Sequence, residues 1–352
     1  MESQLKFIPK SRAEAGAETT LVIFPGALGD FVCFLPALER LARRRSVALL
    51  ARSEYADLAP AGVSVRSLQR REISRLFVLG AGREKTLERF FDPYGSIYSW
   101  TGSEQEDFRR NLKLLSGGRA KLFPFRPSDP RLHISDYYLS CVGEEPSGEI
   151  FPTIPLRPNV VVWGRRCLGE CGLQNRKILG LAPGSGSTEK NWPMEFFRQA
   201  QRWWEGGGGG TVVILGPAEE GWQGNRRDWG SAVVIRSLEL AKVAALLSLC
   251  DLYLGNDSGL THLAAAVGVK TVALFGPTDP TQWAPRGKRV SVVSRNTECS
   301  PCAGSVMKGC PHRRCLTALR PDVVIGLLQH LLERRGAEVP QAKLLDKGRC
   351  RH

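Results

Sequence analysis

The chain has 352 residues, 42% of them hydrophobic, which is enough to bury two ordinary cores and long for a single one. Lys and Arg outnumber Asp and Glu by 49 to 35, and the net charge of +14 favours anionic partners: nucleotide phosphates, acidic lipid head groups or nucleic acid. The longest apolar run near the start, Leu21 to Pro25, falls far short of the roughly 18 residues of a membrane span, and no export signal precedes it, so a cytoplasmic protein is expected.

Residues 1–19 are polar and charged and read as a frayed leader, after which Leu21 to Phe24 makes a short strand. The turn Pro25-Gly26-Ala27-Leu28-Gly29-Asp30 leads into a helix over Phe31 to Arg45, with Phe31, Phe34, Leu35, Leu38, Leu41 and Ala42 at helical spacing. Val47 to Leu50 is the next strand. Val63 to Leu68 and Ile73 to Leu79 continue the apolar pulses, and Ser96 to Ser99 is a further strand candidate. Such alternation implies a parallel sheet.

Residues 143–177, rich in Pro, Gly and charge, suit an interdomain connection. A second alternating series follows. It comprises strands at Ile178 to Ala182, Thr211 to Leu215, Asp251 to Leu254 and Thr271 to Phe275, with helices at about Pro193 to Trp204, Leu238 to Leu249 and Leu260 to Val267. The five glycines Gly206 to Gly210 most simply make a flexible loop with no phosphate role. The expected division is an amino-terminal Rossmann-like domain over 1–160, a carboxy-terminal one over 161–335 and a basic, disordered tail over 336–352.

Two loops carry candidate chemistry. The segment from Leu181 to Pro193 runs from strand to helix, the position where doubly wound sheets bind ligands. Small residues including Gly186, Ser187 and Thr188 let backbone amides approach an anion, and Lys190 adds charge, although the spacing fits neither a P-loop nor GxGxxG. Gly255-Asn256-Asp257-Ser258-Gly259 likewise joins strand to helix, so both loops can form one pocket. His262 can point toward a phosphate or be satisfied inside the fold, and Asp257 can cap the helix it precedes. Asp30 can likewise be an N-cap.

Three segments in this order, GALGDFVCFLPAL, PGSGSTEKNWP and LGNDSGLTHLAAAVGVKTVALFGPTDPTQWAP, resemble the signatures of the lipopolysaccharide heptosyltransferase family over about residues 21–330. The resemblance implies an α/β GT-B architecture, with two Rossmann-like parallel-sheet domains facing across a cleft. It also implies metal-independent transfer, with inversion, of heptose from ADP-heptose to lipopolysaccharide core. By the same resemblance Asp30 is the general base, and Gly186, Ser187, Thr188 and Lys190 hold the donor diphosphate, Lys190 also stabilising the leaving group. Asp257, Ser258, Gly259 and His262 form the second donor loop, and Glu219 meets the nucleotide ribose or base. A deprotonating carboxylate and a cationic leaving-group site are what such a displacement needs, and the chain has no Asp-x-Asp metal pair. The implied partners are the nucleotide-sugar donor and a lipid-linked oligosaccharide acceptor, while the basic surface itself suits docking on an anionic membrane surface at the cytoplasmic face of the inner membrane.

Phe24-Pro25, where many members carry a basic residue, and Cys33, sometimes His, depart from the family pattern and leave the acceptor open. Trp100, Arg109, Arg110 and Lys113 can meet an acidic sugar, but solvated charge is the simpler reading. Basic clusters such as Arg43-Arg44-Arg45 lack interleaved aromatics, so no specific nucleic acid is expected. Of the ten cysteines, Cys33, Cys141 and Cys250 sit alone in apolar segments; Cys299, Cys302, Cys310 and Cys315 have the partial spacing of a zinc knuckle, with ordinary thiols the alternative. Two rival readings stay open, a nucleotide-sugar epimerase of the same fold and a non-catalytic nucleotide- or nucleic-acid-binding protein.

Overall fold

The computed structural model describes residues 19–145, 150–216, 219, 229–295, 297–302 and 304–333. The expected leader to residue 18 and the tail from 336 lie outside the described residues.

In chain order the first lobe contains β1 (Thr19–Ile23), α1 (Leu28–Arg44), β2 (Val47–Ala51), β3 (Val63–Ser67), α2 (Arg71–Arg75), α3 (Lys85–Phe91), β4 (Tyr94–Ser99), α4 (Glu106–Leu115), β5 (Ala120–Leu122) and α5 (Ile134–Cys141). Its five strands are all parallel, in the order β3-β2-β1-β4-β5. Strand alternation sends Val22 into one core with α1 and α5, and Leu21 and Ile23 into another beneath α2, α3 and α4.

The second lobe follows with α6 (Pro158–Glu170), β6 (Ile178–Ala182), α7 (Met194–Gly206), β7 (Gly210–Leu215), β8 (Val233–Arg236), α8 (Leu240–Ser248), β9 (Leu252–Asn256), α9 (Gly259–Ala266) and β10 (Lys270–Phe275). The short α10 (Pro280–Trp283), β11 (Val290–Ser294), α11 (Gly304–Lys308), α12 (Arg314–Thr317) and α13 (Pro321–Glu333) complete it. Its six strands are also parallel, in the order β11-β10-β9-β6-β7-β8. Strands β6, β7 and β9 are buried at every residue, as a parallel sheet covered on both faces requires. The expected division at residue 160 falls inside α6, which packs on α8.

Three expectations need correction. The apolar pulse Ile73 to Leu79 is no strand: only Ile73 and Leu76 turn inward, and Phe77, Val78 and Leu79 stand exposed in the turn after α2. Helix α1 starts at Leu28, so Asp30 lies inside its first turn. The polyglycine run is not a slack loop. Gly206 closes α7, Gly208 takes a left-handed φ of +82°, and a Cβ on Gly209 would lie 2.2 Å from the Trp204 indole nitrogen, which itself donates to the Gly210 carbonyl.

Helix α1 also buries more than its predicted stripe, with Val32, Cys33 and Ala37 sequestered as well. It lies between its own sheet, α5 and α9 of the other lobe, so it has no broad solvent face. Trp100 is fully buried among Phe24, Phe34, Phe123 and Tyr138, which makes it core and not a sugar platform.

Candidate active site

In the second sheet the chain order reverses between β6 and β9, and the loops that leave these two neighbours diverge there. Ala182 is registered against Gly255, so the loops beginning at Pro183 and Asp257 start side by side. Asn256, fully buried at the end of β9, joins them. Its Oδ1 accepts the Trp192 N–H at 2.9 Å and its Nδ2 donates to the Pro183 carbonyl at 2.7 Å, so one side chain fixes both ends of the 183–192 segment. Within that segment the Ser185 hydroxyl donates to Asn191 Oδ1 at 2.7 Å, and Ser187 bonds Glu189.

Lys190 reaches across to the second loop, with Nζ 2.8 Å from Asp257 Oδ2. The same oxygen accepts the Thr278 hydroxyl at 2.7 Å. Gly186 and Thr188 are exposed at the mouth of the first loop, and Ser187, Ser258 and Gly259 are half-buried. Glu219 is buried under the first loop: its carboxylate accepts the Gly216 N–H at 2.7 Å, and a Cβ on Gly184 would strike Glu219 Oε1 at 2.0 Å. Burial raises the carboxyl pKa of Glu219.

The first lobe closes on this point. A Cβ on Gly259 would lie 2.8 Å from Leu28 Cβ and 3.0 Å from the Gly29 nitrogen, and one on Gly29 would lie 3.3 Å from the His262 ring. His262 is buried, and its Nδ1 is 3.4 Å from Cys33 Sγ on α1. Desolvation pushes the Cys33 thiol up to about 12 and lowers the pKa of His262, so both groups are neutral. Gly259→Ala is therefore expected to hold the lobes apart at this contact and to slow turnover about tenfold with nucleotide affinity little changed, a split that steady-state kinetics would read.

Asp30 sits at the edge of the same junction. One carboxylate oxygen accepts the Ala27 N–H at 3.2 Å, and the other meets Arg126 at 2.6 Å. The Arg126 guanidinium lies 4.2 Å from the Phe125 ring centroid and 4.5 Å from that of Trp283, so it is held between the lobes while it orients Asp30. Neither Arg126 nor Asn256 stands out in the sequence. Arg126 is 96 residues from its partner and carries no local pattern, whereas Asn256 was in view within the loop and its burial was the missing information.

A second junction joins the lobes nearby. Arg286 makes a two-pronged ion pair with Asp136, both contacts 2.6 Å, between side chains only 15% and 13% exposed. His133 Nδ1 accepts the Ser135 N–H at 3.1 Å, so Nε2 carries the proton and donates to the Ala284 carbonyl at 2.9 Å. Burial, aided by Arg286, lowers the pKa of His133 from 6.5 to about 4. Below the unfolded-state value the unfolded chain takes up a proton that the folded one refuses, so stability falls as pH drops from 6.5 toward 4. This one group is expected to remove about 2 kcal/mol between roughly pH 7 and pH 5. Urea unfolding across that range would measure the slope, which should be shallower in His133→Asn.

Residues 162–310 match the family model described as "Glycosyltransferase family 9 (heptosyltransferase)". This segment is thus similar to a glycosyltransferase family 9 domain. Lipooligosaccharide heptosyltransferase 2 of Campylobacter jejuni is 32% identical over 168 residues, which is 45% of this chain and 52% of that protein. The chain thus spans about half the length of the curated relatives it matches. Among solved structures, ADP-heptose lps heptosyltransferase II of E. coli covers 91% of this chain and all of its own at 17% identity and a TM-score of 0.69. A family 9 glycosyl transferase from Veillonella parvula covers 90% of this chain and 98% of its own at 20% identity and a TM-score of 0.71. These likenesses show the fold, the two-lobed GT-B arrangement of parallel sheets.

The segment that matches the family model contains Lys190, Glu219, Asp257 and His262, whereas Asp30 and Arg126 come from the other lobe. Cys299, Cys302, Cys310 and Cys315 line one small cavity of about 10 Å³ with Pro277, Met307 and Arg313. All four are free thiols, and among the described residues no three His, Cys, Asp or Glu side chains are placed to ligate one ion. Arg313 donates to the Thr188 carbonyl at 2.9 Å, so this cysteine-lined segment braces the first loop. Among the described residues, no helix is long and apolar enough to cross a membrane.

Proposed function

We propose that this protein is an inverting, metal-independent glycosyltransferase that moves heptose from ADP-heptose to a hydroxyl of lipopolysaccharide core or a related glycan. The observation that carries this reading is the meeting, at one interlobe junction, of the first turn of α1, which bears Asp30, with the loop of the second lobe that holds Asp257, the partner of Lys190. A transferase needs a proton acceptor and a leaving-group site supplied from opposite sides of the reacting carbon. Here they come from different lobes.

In this mechanism the acceptor oxygen attacks the anomeric carbon as the bond to the diphosphate oxygen breaks, and Asp30 takes the hydroxyl proton late in the step. A single displacement inverts the configuration. Lys190, the hydroxyls of Ser187, Thr188 and Ser258, and the free amides at the start of α9 receive the charge that develops on the departing diphosphate, so the protein supplies the compensation a divalent ion would otherwise give. Gly186 and Gly259 let the backbone come close, and Glu219 marks the ribose end. Asp257 acts chiefly by positioning, because its carboxylate holds the Lys190 ammonium and the Thr278 hydroxyl. His262, neutral and wedged against Gly29, shapes the junction.

The partners are then a nucleotide-sugar donor and a lipid-linked oligosaccharide acceptor at the cytoplasmic face of the inner membrane. The test is product analysis over a panel of nucleotide sugars, with and without a lipopolysaccharide-core acceptor and a chelator. Release of nucleoside diphosphate that depends on acceptor and survives chelation supports the proposal. Conversion of donor alone would make the protein an epimerase, and nucleotide binding with no product would leave it a binding protein.

A further inference from the structure

The exposed turn after α2 is unusual in its chemistry. Phe77, Val78 and Leu79 are 46%, 41% and 71% exposed, and Leu114 on α4 is 59% exposed. Apolar residues on a monomer's surface are normally scattered singly, and a cluster points to something that covers it. The turn is also firmly held. Asn111 of α4, fully buried, accepts the Gly82 N–H at 2.8 Å and donates to the carbonyls of Leu76 and Val78 at 3.0 and 2.8 Å. A Cβ on Gly82 would touch Leu114 at 3.1 Å, so the turn and the end of α4 form one surface. A fully satisfied buried amide thus fixes the backbone with its apolar side chains pointing outward.

The rim is cationic. Arg83, Lys85 and Lys113 are exposed, and no carboxylate pairs with them among the described residues, whereas the nearby Arg75 and Arg110 are matched by Glu84 and Glu106. An apolar tip bordered by uncompensated cations complements a surface with an apolar interior and anionic head groups. We infer that this turn and the end of α4 dock the protein on an anionic lipid bilayer, Val78, Leu79 and Leu114 entering the head-group boundary while Arg83, Lys85 and Lys113 meet acidic head groups. The surface lies on the α2–α4 face of the first sheet, and α1 on the opposite face meets the other lobe. Docking there leaves the interlobe junction free. The use made of the surface rests on the proposed lipid-linked acceptor, but its existence does not.

The test is co-sedimentation of the full chain with vesicles of phosphatidylglycerol and phosphatidylethanolamine, and separately of phosphatidylcholine alone. Binding is expected only to the anionic vesicles and should weaken with salt. Leu79→Ser/Leu114→Ser, at exposed positions, should lower partition about tenfold or more. Lys85→Glu/Lys113→Glu should lower it about tenfold or more as well. Both variants should melt like the parent and transfer normally to a water-soluble acceptor fragment. The inference is overturned if the parent ignores anionic vesicles or binds phosphatidylcholine equally. It is also overturned if the serine variant still binds, or if that variant turns a dimer into a monomer and so assigns the patch to a second copy. Vesicle binding without transfer on any donor would sink the glycosyltransferase reading and leave this one standing.

Discussion

Asp30→Asn is expected to slow sugar transfer about a thousandfold while leaving nucleotide affinity close to that of the parent. The amide is nearly isosteric and keeps an oxygen for the Ala27 N–H, so the start of α1 survives; what it loses is the ability to take a proton. Single-turnover rates with saturating donor, beside calorimetric binding of the nucleotide, separate the two effects. Retention of the rate within about threefold would move the base elsewhere. The Arg126 contact sharpens the reading: Arg126→Gln frees the Asp30 carboxylate without removing it, so it should cost less than Asp30→Asn.

Asn256→Ala is expected to lower stability by about 3 kcal/mol, because truncation strands the Trp192 N–H and the Pro183 carbonyl in the protein interior, each at about 1–3 kcal/mol. Those two groups bracket the segment bearing Ser187, Thr188 and Lys190, so the same change should weaken ADP binding. Asn256→Asp restores the acceptor for Trp192 but not the donor for Pro183, and it also buries charge, so it should not rescue. Urea unfolding followed by ADP titration would check both effects, and an unchanged midpoint for Asn256→Ala would refute the bridging role.

The second lobe was legible wherever its strands were central in the sheet and mostly apolar. Strands β6, β7, β9 and β10 announce themselves because parallel strands covered on both faces have no room for polar alternation. Strands β8 and β11 were not read, since they are the edge strands of the sheet, in which Arg236, Ser291 and Ser294 interrupt the apolar run. The stretch from Ile73 to Leu79 misled for the opposite reason: its apolar content is genuine but serves a surface turn, whose Leu76 and Val78 carbonyls are held by Asn111, 35 and 33 residues away.

In the candidate site, the small-residue loops were visible because their composition reports a backbone need: free amides and close approach between strand and helix. The side chains that hold those loops in place were not. The bonds of Arg126 to Asp30, Asn256 to Trp192 and Arg286 to Asp136 join residues 96, 64 and 150 positions apart, and no local periodicity encodes such pairs. Net charge and scattered basic clusters point to a membrane in general, whereas a docking surface needs the placement of particular cations around a particular apolar tip.

The burial of α1 on nearly every side bears on how a substrate gets in. Its residues belong to one continuous apolar cluster that also takes in Leu263, Ala264 and Ala266 of α9, so the two lobes share interior. A wide clamshell swing would strip that shared helix of half its neighbours and wet them. Any opening between the lobes is therefore expected to proceed by sliding and rolling of α9 along α1, with small displacements at the axis enlarged at the rim.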